Sequence, residues 1–593
     1  MNRERFQPTW DLNALYQGFS DSTFQNRVEE CHEAFAHLRE ELNTPSQLSP
    51  AALAELLRRF DGLSLRFSSP ETYHTMWSSV CPSDSASAVA EAKLAEVRRC
   101  KASVFAQLER AMDALSREET GEEELDRAGL IPYRFLIRES RRLASHRPAP
   151  EIRDLLQTMQ ESGGRGWAAL RNELDAAATV TLELPEGRRT ISLSEARGLQ
   201  TGADGALRKL AYEAELASYR SWEVPMAACL NGIKGEALAE LPRKNYASIR
   251  EEMLDVNKMR GETLDALHGA IDDHLPALRE YLRAKARLLG HDGAMPWYDL
   301  LAPLGEPEGE ISFDRAHDMV VDALNGFSSE LGDLAHRAFL ERWIDALPAV
   351  GKRSGGVCYD LPELRQNRIL VNFDGSLRAV RTIAHELGHA YHSRCLDGTP
   401  LSLRDVPTPL CETASIFNET ILSGAWLAES GANRLRLLDA ELSEVVQTVM
   451  DVYSRYLFED AVFAERRTHR LRSEEICSLM KTAQRTVFGD ALDDAYLHPY
   501  MWMCKVHYYI PEFHYYNYPY YFGMLFSKGL YALYHGDRSG FPARYRTLLA
   551  LSCDGSLEEV ARSAGADITD RAFWDRALSG VDKMCEEFCG AAR

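Results

Sequence analysis

The stretch His385-Glu386-Leu387-Gly388-His389 governs how the rest of the chain is read. Residues 377–384 before it are half apolar and helix-compatible, so the five residues continue one helix. On a helix, positions i and i+4 lie on one face, and two imidazoles placed there can share one metal ion. Glu386 stands beside the first imidazole, within reach of water at that ion, where a general base belongs. A hydrolytic zinc needs three protein ligands and one open position. The continuation Ala390-Tyr391-His392-Ser393-Arg394-Cys395 does not fit the motif that adds a glycine and a third histidine at fixed offsets. A carboxylate from a following helix is the other arrangement. Residues 410–420, LCETASIFNET, hold Glu412 and Glu419, seven apart and so on one helix face. Pro407 and Pro409 sit just before, where a helix start tolerates proline. Glu412 is the expected third ligand. Glu419 is expected to orient a ligating imidazole, and reads equally well as a surface charge or structural ion pair. His392 divides in the same way between a partner of the site and a packed or solvated histidine.

Outward from this helix, residues 367–373, NRILVNF, read as a strand, with Gly355 and Gly356 in the turn before it. Two adjacent glycines let backbone approach a ligand closely, or simply make a surface turn. Leu370 to Phe373 is the expected place for substrate main chain to pair as an added strand. Further on, residues 507–523 crowd His507, Tyr516, Tyr520 and other aromatic side chains together. Such hydroxyls and imidazoles could serve an oxyanion, but the segment alone reads better as an aromatic core cluster.

Most other segments carry apolar residues at three- and four-residue steps and predict helices, among them 24–42, 51–60, 86–115, 207–219, 261–289 and 313–347. Residues 179–184 and 189–193 alternate around Pro185-Glu186-Gly187 and predict a β-hairpin. Ser192 followed by Glu195 looks like a capping box opening the next helix. A boundary is expected near residue 195, with a helical region 1–195 ending in the hairpin and a catalytic region 196–593.

The chain has 593 residues, 45% hydrophobic and 26% charged, which excludes a chain dominated by disorder. Its formal net charge of −21 argues against broad binding to nucleic acid or to an anionic membrane. No apolar run reaches transmembrane length and the start shows no signal-peptide core. Twelve scattered cysteines form no paired framework, so a cytoplasmic protein with reduced thiols is expected.

The HELGH helix, the segment with Glu412, Ser415 and Glu419, and the aromatic run after His507 together resemble the thimet oligopeptidase and oligoendopeptidase F family of zinc metallopeptidases. The likeness is closest to the oligoendopeptidase F branch. There it is supported by Trp10-Asp11-Leu12 with Leu15-Tyr16, by residues 351–356, GKRSGG, and by residues 516–520, YNYPY. One departure is Gly355-Gly356-Val357-Cys358, where Gly-Ala-Phe is expected, and it bears on the substrate pocket. The resemblance implies a mainly α, two-lobed helical metallopeptidase with a deep substrate channel and a small β-sheet beside the zinc helix. It implies one Zn2+ per chain, short peptides as substrates, and internal cleavage. By position it makes Glu386 the base, His507 a donor to substrate or oxyanion, Tyr516 the better-matched tyrosine donor and Tyr520 the second choice. A zinc carboxypeptidase or dipeptidase, and a peptide-binding protein without catalysis, are the alternatives.

Overall fold

The computed structural model describes residues 5–43, 48–117, 122–185, 187–305, 309–429 and 431–592. Helices dominate. Five short strands occur among the described residues: β1 Thr179–Leu184, β2 Gly187–Ser192, β3 Ile344–Asp345, β4 Val357–Leu361 and β5 Gln366–Leu370. Chain contacts define two compact units. The first gathers Met1–Ser145, Glu308–Leu422 and Tyr534–Gly565, and the second gathers His146–Pro307, Ser423–Leu533 and Ala566–Arg593. No helix among the described residues is long and apolar enough to cross a membrane.

In the first unit, helices Ser22–Leu42, Pro50–Val80 and Ser85–Arg117 pack on one another. Local chemistry starts two of them. Asp21 accepts from the Thr23 amide, and Ser49 accepts from the Ala52 amide with Pro50 at the first turn. Phe24, Val28, Cys31, Phe35 and Leu38 recur at helical spacing and are buried together. Each such side chain contributes about 1.5–3 kcal/mol by leaving water.

The same unit holds the three-stranded sheet, ordered β3-β5-β4. β4 runs antiparallel to β5 with Tyr359 opposite Arg368, and β3 runs parallel to β5 with Ile344 opposite Ile369. Trp10 closes one side of it, with Met76, Tyr359, Leu361 and Leu370. Arg368 donates to the Asp11 carbonyl at 3.1 Å, so the Trp10-Asp11 segment is tied to β5. The sheet lies against helix Leu377–Cys395, as the fold class anticipates.

Two expectations change here. The run 313–347 is not one helix but Phe313–Phe327 and Ser329–Leu340 followed by β3. Ser328 is extended between them, at φ −155° and ψ 130°, which no helix continues through. In the segment Leu370 to Phe373, Leu370 is paired on both sides and the Val371 and Phe373 amides donate to the Asp345 and Ala346 carbonyls, so one side of the segment is already taken. In the order β3-β5-β4 the outer edges belong to β3 and β4, and β4 is the longer of the two.

In the second unit, β1 and β2 form the hairpin with Val180 opposite Ile191. Glu186 of its turn lies outside the described residues. Val180, Leu182 and Ile191 turn inward, and β1 packs on helix Gly205–Tyr219, where Ser218 donates to the Thr179 carbonyl at 2.7 Å. The expected boundary near 195 therefore falls inside this unit: the hairpin buries its apolar face on a helix that follows it. Ser192 caps the next helix through the Glu195 amide, while the Glu195 carboxylate pairs with Arg189. Helix Gly261–Leu288 pairs with helix Arg571–Ala591, where the Tyr281 and Phe588 rings meet edge to face at 4.8 Å.

Candidate metal centre

Helix Leu377–Cys395 begins at Ser376, whose side chain accepts from the Ala379 amide. It carries His385 and His389 one turn apart, with ring centroids 5.0 Å apart. The acidic partner comes from a broken helix. A short turn, Thr408–Cys411, ends at Glu412, and Thr413–Glu429 begins directly after it. Glu412 thus sits at the break and not within the continuous helix that its seven-residue spacing to Glu419 suggests. Its Oε2 lies 3.3 Å from His385 Nε2 and 3.4 Å from His389 Nε2.

Surrounding groups fix each ligand. His385 Nδ1 donates to Glu419 Oε1 at 2.6 Å, which leaves Nε2 turned to Glu412. Ser415 donates to Glu412 Oε2 at 2.8 Å. Burial opposes charge on Glu412, yet hydrogen bonds from His385 and His389 hold its carboxyl far below the usual range, so it is ionised. Glu386 is 4% exposed, and burial raises its pKa against the pull of His385 and His389. Two imidazoles and one ionised carboxylate converging on one point, all within 4.8 Å of one another, fit a zinc ion held by three protein ligands.

Two glycines make this packing possible. A Cβ on Gly388 would lie 2.4 Å from the Ala414 carbonyl and 2.5 Å from Ser415 Cα. The histidine helix and the Glu412 segment therefore meet backbone to backbone. Asn418 locks the contact by donating to the Ala384 carbonyl at 3.1 Å. A Cβ on Gly356 would lie 2.4 Å from Glu386 Oε1, so the turn before β4 presses on that carboxylate. Gly355 has φ +81° and open space around it, so its need for glycine is conformational. His392 is buried and hydrogen-bonded through Nε2 to Ser552 at 2.7 Å, and burial with nearby His389 lowers its pKa to about 4.

Comparison with known proteins follows the same residues. Residues 319–580 match the model of Peptidase family M3. That stretch holds His385, His389 and Glu412. A Group B oligopeptidase PepB from Streptococcus agalactiae is 28% identical over 399 residues, 66% of this chain. The chain spans 65% of the length of that curated relative. The fold likeness reaches further. Oligoendopeptidase-F from Enterococcus faecium superposes with TM-score 0.68 at 19% identity, over 95% of this chain and 98% of that one. A solved chain from Chlamydophila abortus superposes with TM-score 0.80 at 20% identity, over 98% and 99%.

The matched stretch also contains the aromatic segment, which lies in the second unit. There His507, Tyr516 and Tyr520 cluster. His507 Nε2 is 3.1 Å from the Tyr520 hydroxyl, and its ring stacks on Tyr516 at 5.5 Å and 22°. Burial, then Arg455, Lys505 and Arg171, lower His507 to about 4, so the imidazole is neutral at pH 7.

Sequence reasoning missed the parts that Gly388, Ser415 and Asn418 play around the triad. The available signal was glycine at the fourth position of HELGH and small residues at 414 and 415, the composition that close helix contacts favour. Gly388→Ala is expected to force the two helices apart and weaken zinc binding by about 10–100-fold, the size usual for changes in groups that orient ligands. Chelator competition against the purified chain measures this. Unchanged affinity would show that the contact does not position Glu412.

Proposed function

We propose that the chain is a zinc-dependent endopeptidase that hydrolyses internal bonds of short, unstructured peptides. What supports it most is the triad His385, His389 and Glu412 with a buried carboxylate, Glu386, next to it in sequence. A binding protein needs no such base. Zinc held by the triad would supply Lewis acidity toward water and the scissile carbonyl. Glu386 takes the proton of the attacking water and returns it to the leaving amine. Its burial favours proton uptake, and Gly356 fixes where its carboxylate sits. Glu419 keeps His385 in the tautomer that presents Nε2. β4 offers main chain to an extended peptide, which reads backbone more than side chains and so tolerates many sequences. Neutral His507 and a tyrosine hydroxyl act as donors to the oxyanion, a role that rests on the family offset and on their clustering.

Glu386→Gln is expected to keep zinc and fold while turnover falls about 100- to 10,000-fold. Glu412→Ala is expected to lose zinc itself. Metal analysis beside cleavage of a quenched peptide separates the two effects, and near-normal turnover in zinc-loaded Glu386→Gln would remove Glu386 from the mechanism.

His507→Ala, Tyr516→Phe and Tyr520→Phe form a second series. A donor used in the transition state lowers kcat about 100- to 1,000-fold with little change in KM. The tyrosine whose loss gives that pattern is the donor. A rise in KM alone for all three would make the cluster a substrate contact.

Substrate size and end groups test the activity as a whole. The expected result is internal cleavage of peptides, with or without a blocked C-terminus, and no attack on a folded protein, whose unfolding costs about 5–15 kcal/mol. Abolition of cleavage by C-terminal blocking would favour the carboxypeptidase reading.

A further inference from the structure

A second group of metal-binding side chains lies within the second unit. Glu215, His498 and Cys504 bring one potential ligand atom each to a common point. Cys504 Sγ is 3.7 Å from Glu215 Oε1 and 4.0 Å from His498 Nε2, and His498 Nε2 is 3.8 Å from Glu215 Oε2. The thiol contacts are weak hydrogen bonds, and Cys504 Sγ also lies 3.2 Å from the Tyr219 hydroxyl and 3.5 Å from the Tyr500 carbonyl. Atoms that share one zinc at about 2.0–2.3 Å lie about 3.3–3.8 Å apart, so a closure of a few tenths of an ångström completes the set.

The three side chains are held from behind. Arg197 and Tyr219 donate to Glu215 Oε1, each at 2.9 Å, and Gln200 donates to Oε2 at 2.6 Å. Gln484 grips the main chain of His498 through both its amide and its carbonyl. The rings of Tyr212 and Trp297 pack on the His498 imidazole. Glu215 and His498 are each 1% exposed, and Cys504 is half-buried. A cavity of about 230 Å³, lined by Arg197, Glu215, Trp297, His498, Cys504 and Lys505 among others, reaches the cluster. It supplies an entry path and room for a water in a fourth position.

We infer that Glu215, His498 and Cys504 form a second metal site, separate from the triad of the first unit, that takes a borderline-soft divalent cation such as zinc. A mixed sulfur, nitrogen and oxygen set suits zinc and excludes magnesium and calcium, which want oxygen alone. The cation displaces the thiol proton of Cys504 and the Nε2 proton of His498 to solvent, and the thiolate and the Glu215 carboxylate together balance its charge. Occupancy ties helix Gly205–Tyr219 to the segment that runs from His498 through Cys504 toward His507. It also raises the capacity of the chain above the single zinc of the catalytic reading, on which this site does not depend.

Cobalt(II) tests the site by colour and not by activity. The full-length chain, stripped by a chelator and refilled with cobalt, is expected to show a near-ultraviolet thiolate-to-cobalt charge-transfer band. His385, His389 and Glu412 contain no sulfur and cannot produce it. The band is expected to persist in Glu412→Ala and to vanish in Cys504→Ser. Its absence from the wild-type chain, or its retention in Cys504→Ser, overturns the inference. A measurement on the unmutated chain stands beside this in case Cys504→Ser does not fold. With zinc about a hundredfold above Kd, alkylation of Cys504 by iodoacetamide is expected to slow about 100-fold, while exposed Cys81 labels at an unchanged rate. Equal labelling of Cys504 with and without zinc overturns the site.

Discussion

The contact of Gly388 with Ala414 and Ser415 is the constraint on which the metal centre depends. Two helices can bring a histidine pair and a carboxylate to one point only if their backbones come close enough for short side chains to meet. Glutamate reaches farther than aspartate, but not far enough to bridge helices kept apart by ordinary side chains at 8–10 Å. Glycine on one side and a backbone carbonyl on the other remove that spacing. The break at Glu412 then lets the carboxylate leave the helix direction, Ser415 steadies it, and Asn418 fastens the pair of helices through the Ala384 carbonyl.

Three carboxylates around this contact do different work because their surroundings differ. Glu412 faces two imidazoles and stays ionised against its burial. Glu419 spends an oxygen on the far nitrogen of one imidazole. Glu386 is turned from that hydrogen-bonded set into a buried place under Gly356, where burial favours its protonated form. One residue type therefore meets three different surroundings, and the roles of ligand, orienter and base proposed for them follow from those neighbours.

Much of this was legible in the chain. The helical spacing of His385 and His389 follows from local geometry, as does the β1–β2 hairpin, whereas the seven-residue step from Glu412 to Glu419 hides the break at Glu412. Local patterns stop short where long-range packing decides. In residues 313–347 the apolar steps continue across Ser328 and outweigh the break signal of Asn325-Gly326 and the serines that follow. β5 becomes central only because β3, a two-residue strand, adds to its far side. His392 looks like a site residue by spacing, and its partner Ser552 lies 160 positions away. The group Glu215, His498 and Cys504 is invisible in sequence for the same reason: one member comes from a helix far upstream of the other two.

The first unit is assembled from three separate stretches, and the last of them, Tyr534–Gly565, comes late in the chain. That stretch includes helix Phe541–Ala550, which packs on the histidine helix, and Tyr545, whose ring stacks on Phe417 at 4.3 Å. During synthesis the ligands His385, His389 and Glu412 leave the ribosome well before this support exists. A nascent chain that has just made its HELGH helix therefore carries an apolar face with no cover for well over a hundred residues of further growth. Full packing around His385, His389 and Glu412 therefore waits for residues 541–550, late in the chain.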